Sequence, residues 1–258
     1  MSSPFTAILR RGVLAGLLAG VTASLFSLLL VETPLRAALE LEEARSHASG
    51  EHSHEEMFSR STQVVGGMVA AVLVGVAVGV VFAVVFASIR HRLPARSDFG
   101  RSVQLAAAGF VAVSLLPALK YPANPPGVGE TETVGSRTLA YIGLIVAGIA
   151  ILTAAHYVHR HLVSRGWASA GASSAATVLA LLLVGLALWA LPAQADPVPA
   201  DIPAALLWEF RLSSLAELSS LWTVLGLAFG LLNQPRAFRA EGELSPAGDA
   251  ASTPDIAR

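Results

Sequence analysis

Six apolar runs, each near the length that crosses a bilayer, constrain this chain more than any motif in it. They lie near 12–31, 64–89, 103–119, 139–157, 173–191 and 212–232. A spanning helix needs about 20 mostly apolar residues, and a buried helix of a soluble protein rarely sustains that. The runs are continuous rather than alternating, which favours helices over a barrel. Of the 258 residues, 54% are hydrophobic and 14% charged, against about 25% charged in an ordinary soluble domain. Mean hydropathy is +0.63. The expected fold is therefore all-α: a polytopic membrane bundle of about six transmembrane helices, one domain over 1–240. The sixth run is the least certain, because it holds Glu217 and four serines.

The loops vote on orientation. Arg10 and Arg11, then Arg90, Arg92, Arg96 and Arg101, then Arg160 and Arg165, then Arg236 and Arg239 occupy the N-terminus, every second loop and the C-terminus. With Arg258, one side holds 11 of the 17 Lys+Arg. The other holds Arg36, Arg45, Arg60, Lys120, Arg137 and Arg211. The positive-inside rule then predicts both termini in the cytoplasm, and the loop over 32–63 outside. The alternation requires all six spans. The first run is too long for a signal-peptide core and ends without an Ala-x-Ala site, so it is read as an uncleaved helix. The tail over 241–258 reads as disordered and cytoplasmic.

The outward loop carries the densest chemistry. Thr33-Pro34 is expected to end span 1 and start a short amphipathic helix, with Pro at its first turn and Gly50 as its breaker. Then come His47, Glu51, His52, His54, Glu55 and Glu56. There is no cysteine, so thiolate metal sites, disulfides and Cys nucleophiles are excluded. Imidazole and carboxylate suit a borderline divalent ion such as Zn, Ni, Co or Cu. The spacing matches no closed zinc motif, so the expectation is weak, exchangeable capture. The competing reading is a solvated polar loop.

Other features weigh less. Gly12, Gly16 and Gly20, Gly75 and Gly79, and Gly226 and Gly230 repeat at a spacing of four. Such faces pack helices closely within a bundle, or alternatively form a dimer seam or sliding surface. Trp167, Trp189 and Trp208 lie near span ends, as interfacial Trp does. His91, His156, His159 and His161 stand among arginines, which disfavour another cation; they read as interfacial residues, with a release site as the alternative. Glu217 is the one acidic residue inside a proposed run, and is either interfacial or part of an ion pathway. The proline-rich stretch over 116–127 reads as a lid, a re-entrant entrance or a rigid connector. No Walker A loop, nucleophile elbow or His-Glu-x-x-His motif occurs, so the chain is not expected to be an enzyme. The net charge of −1 gives no reason to expect nucleic acid.

The ordered layout resembles the CbtA family of cobalt transporter subunits. The residues that carry the resemblance begin with Arg10-Arg11 and the Gly12-Val13-Leu14-Ala15-Gly16-Leu17-Leu18-Ala19-Gly20 run. They continue with the His/Glu loop from His47 to Glu56, and then with Leu115-Leu116-Pro117-Ala118-Leu119 and Pro125-Pro126-Gly127. Gly135-Ser136-Arg137 comes next, and Pro203, Phe210, Ser214 and Trp222 close the set. The resemblance covers about 8–232. It implies a bacterial inner-membrane subunit that takes up Co2+ for corrinoid (cobalamin) synthesis, beside a small one-span partner of the CbtB type. Membrane lipids and a homo-oligomer are further expected partners. The runner-up is a non-transporting scaffold or metal-sensing accessory subunit.

Overall fold

The computed structural model describes residues 5–49, 58–129, 134–192 and 198–234. These residues are helical with short connections, and no strand occurs among them. Eight α-helices run in order: α1 Phe5–Phe26, α2 Glu32–Ser49, α3 Arg60–Ile89, α4 Asp98–Gly109, α5 Leu116–Lys120, α6 Val134–Ser164, α7 Ser169–Ala190 and α8 Ala204–Leu232. Two π-helical segments, Ser27–Val31 and Phe110–Leu115, splice α1 to α2 and α4 to α5. The described residues thus contain six helices long and apolar enough to cross a membrane.

Every span is longer than its apolar run, and two of them start at side-chain caps beyond the first charge. Ser59 caps α3 by accepting from the Thr62 N–H, and Ser97 caps α4 by accepting from the Gly100 N–H. Both satisfy donors that the helix start leaves open. Charged residues such as Arg60 and Asp98 are therefore inside the helices.

One expectation is corrected. Thr33-Pro34 does not end the first helix, which runs on from Phe5 to Ala48 as one unit. Proline lacks an N–H and its ring collides with the carbonyl four residues back. The π segment before Pro34 widens the ladder there, with the Glu32 N–H reaching Ser27 O. Pro117 follows the second π segment in the same way. The bulge and the proline thus occur together, and the helix continues instead of breaking.

The glycine repeats are taken up inside the chain. A Cβ on Gly79 would lie 2.7 Å from Gly16 Cα, and one on Gly75 would lie 2.5 Å from Gly20 Cα. Backbone therefore meets backbone along the α1–α3 seam, as small-xxx-small faces permit. Ser24 Oγ reinforces the seam, lying 2.8 Å from Gly20 O and 3.0 Å from Met68 O. Gly226 and Gly230 do the same for α8 against Ala106 and Phe99 of α4. Phe82 and Phe86 meet Phe229 edge-on at 5.2 and 5.0 Å, joining α3 to α8. The core is thus formed by α1, α3, α4 and α8. The α6–α7 hairpin packs on its side, with Gly148 against Ala112. Trp167 and Trp189 are exposed at the two ends of α7, and Trp208 near the start of α8.

Candidate functional site

The base of the 32–63 loop is tied down by charge. Glu32 accepts from Arg60 Nη2 at 2.7 Å and Nε at 3.2 Å, and from Arg36 Nε at 2.7 Å. The fork-on-carboxylate pairing fixes orientation as well as distance. It locks the start of α2 to the start of α3. Farther along α2, Arg45 pairs with Asp201 at 2.8 Å and donates to Gly127 O at 3.2 Å. Gly127 turns at φ +72, a backbone position that glycine adopts without strain. The proline-rich stretch is thus a tethered connector at this end of the bundle, with Pro125 fully buried.

Of the six expected metal ligands, His47 lies exposed near the end of α2. Glu51, His52, His54, Glu55 and Glu56 lie outside the described residues. Among the described residues no three His, Cys, Asp or Glu side chains group to hold a metal ion.

Glu217 lies inside α8, half-buried, beside Ser27 of the segment that packs against this helix. Ser27 is the first residue of the first π segment. At roughly 1.5 Å of rise per residue, Glu217 stands about 9 Å along the helix from Arg211. A π turn leaves one carbonyl out of the regular ladder, and such bulges recur at functional sites. The second π segment faces the same helix, where Ser114 accepts from Trp222 Nε1 at 2.9 Å. Other hydroxyls of α8 are spent locally: Ser214 donates to Phe210 O, Ser219 to Leu215 O and Ser220 to Glu217 O. Ser102 donates across to Gly226 O at 2.7 Å, closing the α4–α8 seam. Among the described residues, the carboxylate in the middle of α8 is therefore Glu217, beside Ser27 of the first π segment. Glu217 stands out in the sequence and Ser27 does not. Pro34, close behind the apolar run, was the signal for a bulge there.

A cavity of about 850 Å³ opens at the loop-bearing end, between α5, the start of α6 and the first half of α8. Lys120, Arg137 and Arg211 line it, with no carboxylate among the described lining residues. Arg211 Nη2 donates to Asn124 Oδ1 at 2.9 Å, and its guanidinium stands 5.8 Å from the Trp208 ring centre. Lys120 donates to Leu188 O, and Tyr121 donates to Pro192 O at 2.7 Å. Burial raises the Tyr121 phenol above its ordinary range, which keeps it a neutral donor.

The opposite end gathers the arginines. Arg11 Nη1 donates to Asn233 Oδ1 at 2.9 Å, tying α1 to the end of α8. Asp98 pairs with Arg101 at 2.9 Å and Arg90 at 3.8 Å. His156 stands within electrostatic reach of Arg160 and Arg92, surroundings that repel a further cation.

A family model described as "Probable cobalt transporter subunit (CbtA)" matches residues 5–234, nearly the whole chain. No curated protein and no solved structure matches. The match takes in all six long apolar helices, the tethered segment between the first two and both Ser27 and Glu217, and on that extent the chain belongs to the CbtA family.

Proposed function

We propose that this chain is the membrane-embedded subunit of a cobalt uptake system that captures Co2+ at its outward His/Glu loop. Family membership carries the reading. His52 and His54, with Glu51, Glu55 and Glu56, form the capture cluster, and His47 is a weaker member. Histidine and carboxylate suit Co2+, and an open cluster allows release. The arginine-bearing end lies in the cytoplasm with both termini, so an incoming ion meets the loop first. Glu217 and Ser27 then offer the ion oxygen ligands inside the bundle. The site is that of a bacterial inner membrane, with a small one-span subunit and a second copy of the chain as candidate partners.

The test is uptake. Replacing His47, His52 and His54 by Ala should cut accumulation of radiolabelled cobalt at limiting concentration. Unchanged uptake would sink the capture role.

One observation favours a second reading, an accessory or metal-sensing subunit. Lys120, Arg137 and Arg211 stand in the wall of the 850 Å³ cavity, with no carboxylate among its described lining residues, which disfavours Co2+ there. Purified protein in liposomes separates the two: cobalt flux without a partner supports transport, and none supports the accessory role.

A further inference from the structure

The cation-lined cavity has a shape and chemistry of its own. Its walls on α8 run from Trp208 to Leu218, and on α6 from Val134 to Ile142. At a rise of 1.5 Å per residue that is about 15 Å on α8 and about 12 Å on α6, at most half of a bilayer's ~30 Å hydrocarbon core. A partner helix would need a groove running the whole depth; this one ends within a single leaflet. Leu119 and Leu212 on its walls are 64% and 61% exposed, so the cavity opens sideways toward lipid tails. Lys120 and Arg211 stand at its loop-bearing end, with Arg137 also in the wall. Arg211 Nε is buried without a hydrogen-bond acceptor, although the same guanidinium reaches Asn124. A buried cationic donor left open is costly, and a phosphate oxygen would satisfy it.

The geometry points to a binding site for one anionic phospholipid, its phosphate held by Arg211 and Lys120 and its chains lying along Leu119, Ile142 and Leu212. Basic pockets between transmembrane helices take anionic head groups for this reason. The volume lies within the range of a small-molecule site, and it accepts the head and upper chains while the rest continues into the bilayer. This proposal is independent of cobalt transport. The lipid would fill the gap between the α6–α7 hairpin and the core, and so fix the hairpin against α8.

Thermal unfolding of the purified full chain in mixed micelles tests it. The additives are phosphatidylglycerol, phosphatidylcholine or inorganic phosphate. Phosphatidylglycerol should raise Tm and the other two should not. Arg211→Gln keeps an amide for Asn124, and Lys120→Gln keeps a donor for Leu188. Each should weaken the phosphatidylglycerol response about fivefold in half-saturating concentration, the effect of one surface cation. Equal shifts with phosphatidylcholine would mean a site without charge selection and overturn the proposal. An equal shift with inorganic phosphate would mean a free-anion site and also overturn it. So would unchanged responses in both variants, which would locate the lipid elsewhere. Should Arg211→Gln not fold, the wild-type additive series and Lys120→Gln decide alone.

Discussion

Glu217→Gln asks whether the carboxylate inside α8 serves stability or transport. Glutamine nearly matches glutamate in volume and keeps a side-chain oxygen toward Ser27, so the packing survives. Only the charge is removed. A charged side chain at the centre of a membrane helix costs about 2.5–3.5 kcal/mol on insertion scales. Glu217 is half-buried against the bundle and stands beside Ser27 rather than facing lipid alone. Removing the charge should therefore return less than half of that cost, about 1 kcal/mol. For a chain of this size the gain corresponds to about 2–4 °C in Tm. Cobalt accumulation by cells carrying the variant should fall about tenfold, the effect of ~1.4 kcal/mol on a rate-limiting barrier. Circular dichroism in detergent gives the first number and radiolabelled cobalt the second. A lower Tm with normal uptake would refute the reasoning, because the carboxylate would then be structural. Normal uptake at any Tm would remove Glu217 from the ion path.

Two further substitutions probe the fold. Gly79→Ala places a methyl 2.7 Å from Gly16 Cα, where only backbone can yield, and should cost about 1–3 kcal/mol by overpacking. Gly66→Ala, with nothing within 4 Å, should be neutral or gain up to about 1 kcal/mol of helix propensity; equal melting temperatures for the two would contradict the α1–α3 seam. Arg60→Ala strips Glu32 of two hydrogen bonds and should lose about 1–2 kcal/mol, with faster protease cleavage between α2 and α3. Arg60→Lys should recover only part of that, since an ammonium cannot make the fork; full recovery would show that charge alone ties the loop.

The site was only partly legible. Glu217 stood out because a carboxylate in an apolar run is costly wherever the run folds. Its partner Ser27 did not, because a serine in a membrane helix usually bonds its own backbone, as Ser214 and Ser219 do. The cationic cavity was invisible for a different reason. Lys120 closes the third span, Arg137 opens the fourth and Arg211 lies in the sixth; each reads singly as an interfacial charge.

What the amino-acid order determined by itself was the helices. Without water in the bilayer, a backbone must satisfy its own hydrogen bonds, and six long apolar runs leave helix as the answer segment by segment. The glycine spacing likewise announced close-packed faces, since a missing Cβ is a local fact. Tertiary structure alone decided which faces meet. Gly16 lies against Gly79, Gly226 against Ala106, and Gly109 against the Trp222 ring. It also carried the first helix through Pro34 on a π turn and brought Ser27 to Glu217. These outcomes depend on the shapes of side chains far apart in the chain, whose fit is set only when all six spans pack together.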